Sequence, residues 1–404
     1  MKRRCLTLFV IVISIFQVGC WNRIELNEIG AIMGTAIDLE KEEWVTSYQI
    51  VIPQSIATQA GGGGGGSQTP VTVFSTKGKS LLETIQRISL ESSRTPFFAH
   101  NRVLVISEKV AKEKGVTEIV DFYLRDGESR ETMVVVLSKG RARDILEALT
   151  PQEKIPAHAI DQIFRRTETQ MSIARRIRLI DFVSMLVNPQ ASAVVPEIRV
   201  SGNPEKQSSL DALKETSQKG VIKIGDIGIF KKDKLAGWLK QEEAMGMAWL
   251  TDHVQNAVIS FACSEKEEAG KMSTFLVERS STNLKPVIKN EKITMTAEIE
   301  SEGILNETSC TLDLSKPENI KKVEKQLEKQ IREDILRTWA QAKKMEADIL
   351  GFGEEIHKEY PKQWKKLQQE WGKQLGDVEL SLKIDVSVRR TGMINKPFST
   401  IMQK

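Results

Sequence analysis

SLLETIQRISLESSRTPFFAHNRVLVISEKVAKEKGVTEIVDFYLRDGESRETMVVVLSKGRARDILEAL, from Ser80 to Leu149, changes its hydrophobic period four times. Ser80-Leu-Leu-Glu83 is a capping box, with a hydroxyl placed three residues before a carboxylate, and it opens an amphipathic helix through Leu90. Arg102 to Ile106 is apolar and β-branched, a strand. Thr117 to Arg125 returns to helical spacing, Thr132 to Leu137 is a second strand, and Arg141 to Leu149 a further helix. Strands that alternate with helices predict a mixed sheet covered by helices.

Upstream of this stretch, Ala31 to Leu39 and Trp44 to Pro53 are apolar and β-rich, the two strands of a hairpin. Gly61 to Gly66 is a run of glycines followed by Ser67, and Val71 to Ser75 is another strand-like piece. The glycine run contains G-x-G-x-x-G, but it leads to a strand and lacks the Lys-Ser/Thr of a phosphate loop. It reads as a flexible loop tip. Downstream, His158 to Glu168 and Ala174 to Val187 are helical. Val194 to Val200 is extended, with Pro196 placing it at a sheet edge. Residues 202–219 are polar and weakly patterned.

A second unit starts at Gly220. Val221 to Phe230 and Leu235 to Leu239 form a hairpin about Lys231-Lys232-Asp233, and Glu242 to Leu250 is a short helix or loop. Val258 to Cys263, Thr274 to Arg279 and Lys292 to Glu300 are strands. Ser315-Lys-Pro317-Glu318 combines a capping box with an early proline. Ile320, Val323, Leu327, Ile331, Ile335, Trp339, Ala342 and Ile349 then recur at helical spacing up to Gly351. A shorter helix carries Trp364, Leu367 and Trp371. Val378, Leu380, Leu382, Ile384, Val386 and Val388 alternate strictly with polar residues, the pattern of a half-buried antiparallel strand.

The expected fold is therefore multi-domain, α/β followed by α+β, with mixed sheets and helices packed on them. A long amphipathic helix covers an antiparallel C-terminal sheet. The expected divisions are 1–19, 20–201, a linker at 202–219, and 220–404 with a candidate subdivision near residue 285.

Residues 1–19 read as an export signal. Lys2, Arg3 and Arg4 precede the apolar run Leu6 to Phe16, which ends in Val18-Gly19-Cys20. At ~1.5 Å per residue the run spans roughly 16 Å, half of a ~30 Å hydrocarbon core, too short for a membrane helix. A small residue directly before Cys is also the bacterial lipobox pattern, in which Cys20 is acylated and becomes the mature N-terminus. Gln17 departs from that box, where leucine is usual. The expectation is a lipid-anchored body exported from the cytoplasm.

The chain has 404 residues and a formal charge of +4. Removing Lys2, Arg3 and Arg4 from its 58 basic residues leaves 55 against 54 acidic ones, a net of +1, which argues against a nucleic-acid binder. Of four cysteines, Cys5 leaves with the signal and Cys20 is the lipid site. Cys263 and Cys310 either pair or are two unpaired buried thiols; the latter is the expectation.

Catalytic constellations are missing. His100, His158, His253 and His357 have no metal-ligand spacing, and neither H-E-x-x-H nor G-x-S-x-G occurs. No cofactor or metal site is expected. Arg125-Asp126-Gly-Glu128-Ser-Arg130 reads as a structural ion-pair cluster, and His100 as a packed, hydrogen-bonded side chain.

Five stretches together resemble the Ger(x)C lipoproteins, the C subunits of nutrient germinant receptors in spore-forming bacteria. They are Gly19-Cys20-Trp21-Asn22-Arg23, the stretch from Phe97 to Val105 (FFAHNRVLV), Asp121 to Asp126 (DFYLRD), Gly228 to Leu239 (GIFKKDKLAGWL), and Asp348 to His357 (DILGFGEEIH) with Trp364. They run in the family's order over nearly the whole mature chain. The resemblance implies a non-enzymatic, palmitate-bearing or similarly acylated subunit on the outer face of the inner spore membrane. It implies two integral membrane partners, the A and B subunits, and a part in sensing nutrients. The candidate partner-contact or structural residues are Phe98, His100, Arg102, Arg125, Asp126, Gly237, Trp238, Gly351, Phe352 and Gly353. The competing reading is a solute-binding lipoprotein of a transporter, which two similar hinged lobes would favour; the two halves here differ in pattern.

Overall fold

The computed structural model describes residues 28–53, 55, 68–216, 220–263, 270–392, 394, 396 and 402. Cys20, Trp21 to Arg23 and the Gly61 to Gly66 run lie outside them. No helix among the described residues is long and apolar enough to cross a membrane.

Among the described residues, nine strands form one sheet. The strands are β1 (Ile29–Glu40), β2 (Glu43–Val51), β3 (Val71–Gly78), β4 (Thr95–Phe97), β5 (Val103–Ser107), β6 (Val134–Ser138), β7 (Val194–Gly202), β8 (Gly220–Lys231) and β9 (Lys234–Leu239). The order is β3-β2-β1-β5-β6-β7-β8-β9, with β4 beside β1. β1, β5 and β6 are parallel; the β1–β2–β3 and β7–β8–β9 runs at its two sides are antiparallel.

Period two decides which residue enters which core. Leu104, Ile106, Val135 and Leu137 face one layer of helices: α2 (Glu108–Glu113), α3 (Thr117–Arg125) and α6 (Leu179–Val187). Val103, Val105, Val134 and Val136 face the opposite layer, α4 (Ala142–Glu147) and α5 (Pro156–Gln170). Both central strands are buried on both faces, hence their unbroken apolar runs. A further helix, α1 (Leu81–Ile88), lies over β2 and β3; its N-cap Ser80 accepts from the Glu83 N–H, as the sequence predicts.

The second sheet has the order β10 (Val258–Ala262), β11 (Met272–Lys289), β12 (Lys292–Thr308) and β13 (Glu379–Arg390). The long helix α9 (Pro317–Met345) lies across it. Val323, Leu327, Ile331, Ile335, Trp339 and Ala342 on the helix and Phe275, Val277, Met295, Ala297 and Ile299 on the strands share one core. A short helix α8 (Ala244–Leu250) packs against α9.

Several expectations are corrected. The segment 202–219 does not separate two cores. It contains the short helix α7 (Pro204–Gln207), and buried Gln207 donates to the Leu149 carbonyl at 2.6 Å and accepts from the Gly220 N–H at 3.0 Å. The β8–β9 hairpin then completes the first sheet. Its Phe230 and Leu235 point into the α2/α3/α6 layer, while Ile227, Ile229 and Leu239 belong to the α9 core. One hairpin, with its two faces, joins both cores. A division near residue 285 is also ruled out, because Lys285 pairs with Thr296 in the middle of the β11–β12 ladder.

Pro196 does not mark an edge. β7 lies between β6 and β8, and the proline, paired with Ile227, is the last residue before the β7–β8 register shifts between Pro196 and Ile198, the kind of bulge at which a strand tolerates proline. β13 alternates as expected but runs parallel to β12, since the helices from Pro317 onward carry the chain back across the sheet. The α9 capping box does not form: Lys316 is the N-cap, and the Ser315 hydroxyl donates to Asp313 instead. The helix ends at Met345, with Glu346 left-handed, rather than at Gly351. Cys263 and Cys310 form a disulfide, not two thiols. β10 and the end of β12 both flank β11, at Ala262↔Met272 and Ser273↔Thr308, which brings the two cysteines together across it.

Candidate interaction site

Three of the family-like motifs converge on one groove. It has a volume of about 840 Å³ and is walled by Asp121 and Leu124 of α3, by Val187 at the end of α6 with Asn188, Pro189 and Ala191 to Ala193 beyond it, and by Lys231 to Asp233 at the β8–β9 turn. Asp348 and Trp371 close its far side. Leu124 and Val187 are 49% and 74% exposed at its lip, a pair of large apolar side chains left in solvent.

The far wall is organised by Asp348. Its carboxylate is fully buried and accepts from the Leu350 N–H at 3.1 Å, the Phe352 N–H at 3.2 Å, the Gly353 N–H at 2.7 Å and the Trp371 indole N–H at 2.8 Å. Three of these donors belong to the turn that opens α10 (Phe352–Glu359), where backbone N–H groups lack helical partners. Burial pushes the Asp348 carboxyl above its ordinary value, against the pull of those donors. Gly351 takes the left-handed φ of +78° at the N-cap, which favours glycine. A Cβ on Gly353 would lie 2.3 Å from the Gln190 carbonyl oxygen and within 2.9 Å of both Trp364 and Trp371. Phe352 is fully buried and packs on Trp339 at 5.3 Å.

The same turn docks onto the segment that leaves α6. The Ser192 N–H donates to the Asp348 carbonyl at 2.7 Å, Asn188 Nδ2 donates to Glu354 at 2.6 Å, and Gln190 Nε2 lies 2.5 Å from His357 Nδ1. The motif is thus a clamp between the first sheet's helical layer and the second core. Sequence reading singled out Gly351, Phe352 and Gly353 but missed Asp348, although an aspartate three and five residues ahead of two glycines signals a capped helix start. Asn188 and Gln190 carry no such signal.

The β8–β9 hairpin holds the next two candidates. Gly237 faces the Met345 thioether at the end of α9. Trp238 donates its indole N–H to Glu108 at 2.7 Å, and the Lys139 ammonium lies 4.7 Å over its ring. At the end of α3, Arg125 pairs with Asp121 at 2.8 Å and holds that carboxyl below its ordinary range. Asp126 accepts from the Glu128 N–H and the Ser129 hydroxyl. Both Asp126 bonds are local, and the Arg125 ion pair runs back to Asp121 on α3 rather than within the 125–130 run.

The remaining motif, Phe97 to Val105, lies away from the groove. Phe98 is buried edge-on against Tyr48 at 5.8 Å. His100 is exposed and touches only the Phe97 ring among the described aromatic contacts, which corrects the expectation of a packed histidine. Arg102 is drawn to Asp161, 3.8 Å away. Among the described residues no group of His, Cys, Asp and Glu side chains could hold a metal ion.

Two family models match the chain: the spore germination protein N-terminal domain over residues 22–200, and the spore germination B3/GerAC-like C-terminal domain over residues 225–392. Spore germination protein KC of Bacillus subtilis is 31% identical over 402 residues, 98% of each chain. The putative spore germination protein YfkR of the same organism is 28% identical over 391 residues, 96% of this chain and 97% of its own. The crystal structure of the GerBC protein matches with a TM-score of 0.57 at 19% identity, over 88% of this chain and 97% of that one, a likeness of fold.

Proposed function

This chain belongs to the GerAC-like family of spore germination proteins, and on that premise we propose that it acts in germination as the C subunit of a nutrient germinant receptor. In this reading it is no enzyme. It is exported, held at the outer face of the inner spore membrane by acyl chains on Cys20, and works through contacts with the integral membrane A and B subunits. The supporting observation is the match of both family domains along the chain, with three motifs of the resemblance spent on one interdomain clamp and groove rather than on a catalytic centre.

The test is crosslinking in intact spores from positions 124 and 187 at the groove lip. Capture of two multi-helix membrane proteins supports the receptor reading. Capture of neither, together with nutrient binding by the purified chain alone, replaces it with the solute-binding lipoprotein. The anchor is tested separately. Cys20→Ala should abolish lipid labelling and release the chain from membranes, and a variant that stays bound overturns it.

A further inference from the structure

Asp161 on α5 is 2% exposed, and its two carboxylate oxygens meet three guanidinium groups. Arg176 Nε lies 2.6 Å from Oδ1, Arg165 Nε 3.1 Å from Oδ2, and Arg102 Nη1 3.8 Å from Oδ2. One arginine suffices to neutralise a buried carboxylate. Three leave two positive charges in excess at one spot. Arg176 is 16% exposed and, with Asp161, forms the ordered base; Arg165 and Arg102 keep 53% and 44% of their side chains in solvent.

The cluster sits at a particular end of the molecule. Arg102 directly precedes β5, and Arg176 Nη2 reaches the carbonyl of Thr132, just ahead of β6. β1 runs parallel to β5 and β6, so this is also the end from which β1 emerges at Ile29. Arg94 packs beside Gly30 there, and Leu90, 84% exposed, precedes it by four residues. Eight residues separate Cys20 from Ile29, nine Cα steps that span about 30 Å at full extension. A chain anchored at Cys20 therefore keeps this end within about 30 Å of the bilayer.

We propose that this end of the first sheet rests on the membrane and that Arg102 and Arg165 bind the phosphates of anionic phospholipid headgroups. The inference rests on the lipid-anchored reading of Cys20. Guanidinium groups match phosphate oxygens with paired donors. Attraction to an anionic surface fades within a Debye length, roughly 10 Å, so a short tether is what brings the cluster into range. The net charge of the chain without its leader, +1, supplies no attraction of its own. A local excess at the tethered end does.

The experiment uses the full lipidated chain reconstituted into vesicles of phosphatidylcholine alone or with an equal part of phosphatidylglycerol. Hydrogen exchange is followed over residues 100–104 and 172–178. Exchange is expected to slow by about fivefold or more in the anionic vesicles only, the factor that one arginine at such a surface is worth. Arg102→Gln with Arg165→Gln should abolish the difference while leaving the Asp161–Arg176 pair in place. Equal exchange in both vesicles overturns the proposal, and so does equal protection by inorganic phosphate in solution, which would mark a free-anion site. Flotation of the chain with both kinds of vesicle reports the anchor independently. A chain that does not float overturns the Cys20 reading and the docking with it; one that floats without protection overturns the docking alone.

Discussion

The buried carboxylate of Asp348 accepts the indole N–H of Trp371 at 2.8 Å while also accepting three backbone N–H groups at the start of α10. One side chain thereby fixes the turn, the helix that follows it and the C-terminal tryptophan wall. Asp348→Ala would strand four buried donors at once. A loss of about 3–5 kcal/mol is expected in urea denaturation, against about 1–2 kcal/mol for Trp371→Phe, which removes one donor together with its bond. Similar losses for the two variants would mean that Asp348 does not organise the turn.

Gly353 is constrained for a different reason. A methyl group there meets a backbone carbonyl, which cannot swing aside as a side-chain tip can. Gly353→Ala should cost about 1–3 kcal/mol and loosen α10 from the Asn188–Ser192 segment. Gly140→Ala is the matched control, since a Cβ at Gly140 meets nothing within 4 Å. Equal melting temperatures for the two variants would contradict the close approach.

The Cys263–Cys310 bridge closes a sequence separation of 47 residues, so loop-closure entropy assigns it about 4 kcal/mol. Reduction, or Cys263→Ser with Cys310→Ser, should lower stability by up to that amount. The loss is expected to appear as earlier unfolding of the second sheet with the first less affected. Identical denaturation curves with and without reductant would remove the bridge from the account.

Tyr48 is fully buried beside Thr84, 3.0 Å away, and burial pushes its phenol from 10.0 up to about 12. The folded chain then keeps the phenolic proton where the unfolded chain has released it. Stability should fall as pH rises from 10 to about 12, by about 2–3 kcal/mol from this group. Tyr48→Phe should flatten that part of the stability profile. A slope unchanged in the variant assigns the alkaline loss elsewhere.

Much of the architecture is legible in the residues themselves. β5 and β6 are unbroken apolar runs because both faces are covered, and α9 shows its seam from Val323 to Ala342 because only one face is. Alternation in β13 gives its buried face but not its direction, since a parallel and an antiparallel neighbour bury the same side chains. The β8–β9 hairpin is equally plain as a hairpin. Which sheet it joins is not, because Phe230 and Ile229 are both apolar and only their destinations differ.

The candidate site divides in the same way. Gly351, Phe352 and Gly353 announce a constrained turn, yet what constrains them, Asp348 from within the motif and Gln190, far earlier in the chain, is set by docking. Arg102 reads as the lone basic residue opening an apolar strand until α5 and the 172–178 segment bring Asp161, Arg165 and Arg176 around it. Local patterns are written in the chain because periodicity and capping act between neighbours a few residues apart. The disulfide, the direction of β13, the shared hairpin and the arginine cluster were decided only in the tertiary structure, because each depends on surfaces meeting that no short-range spacing encodes.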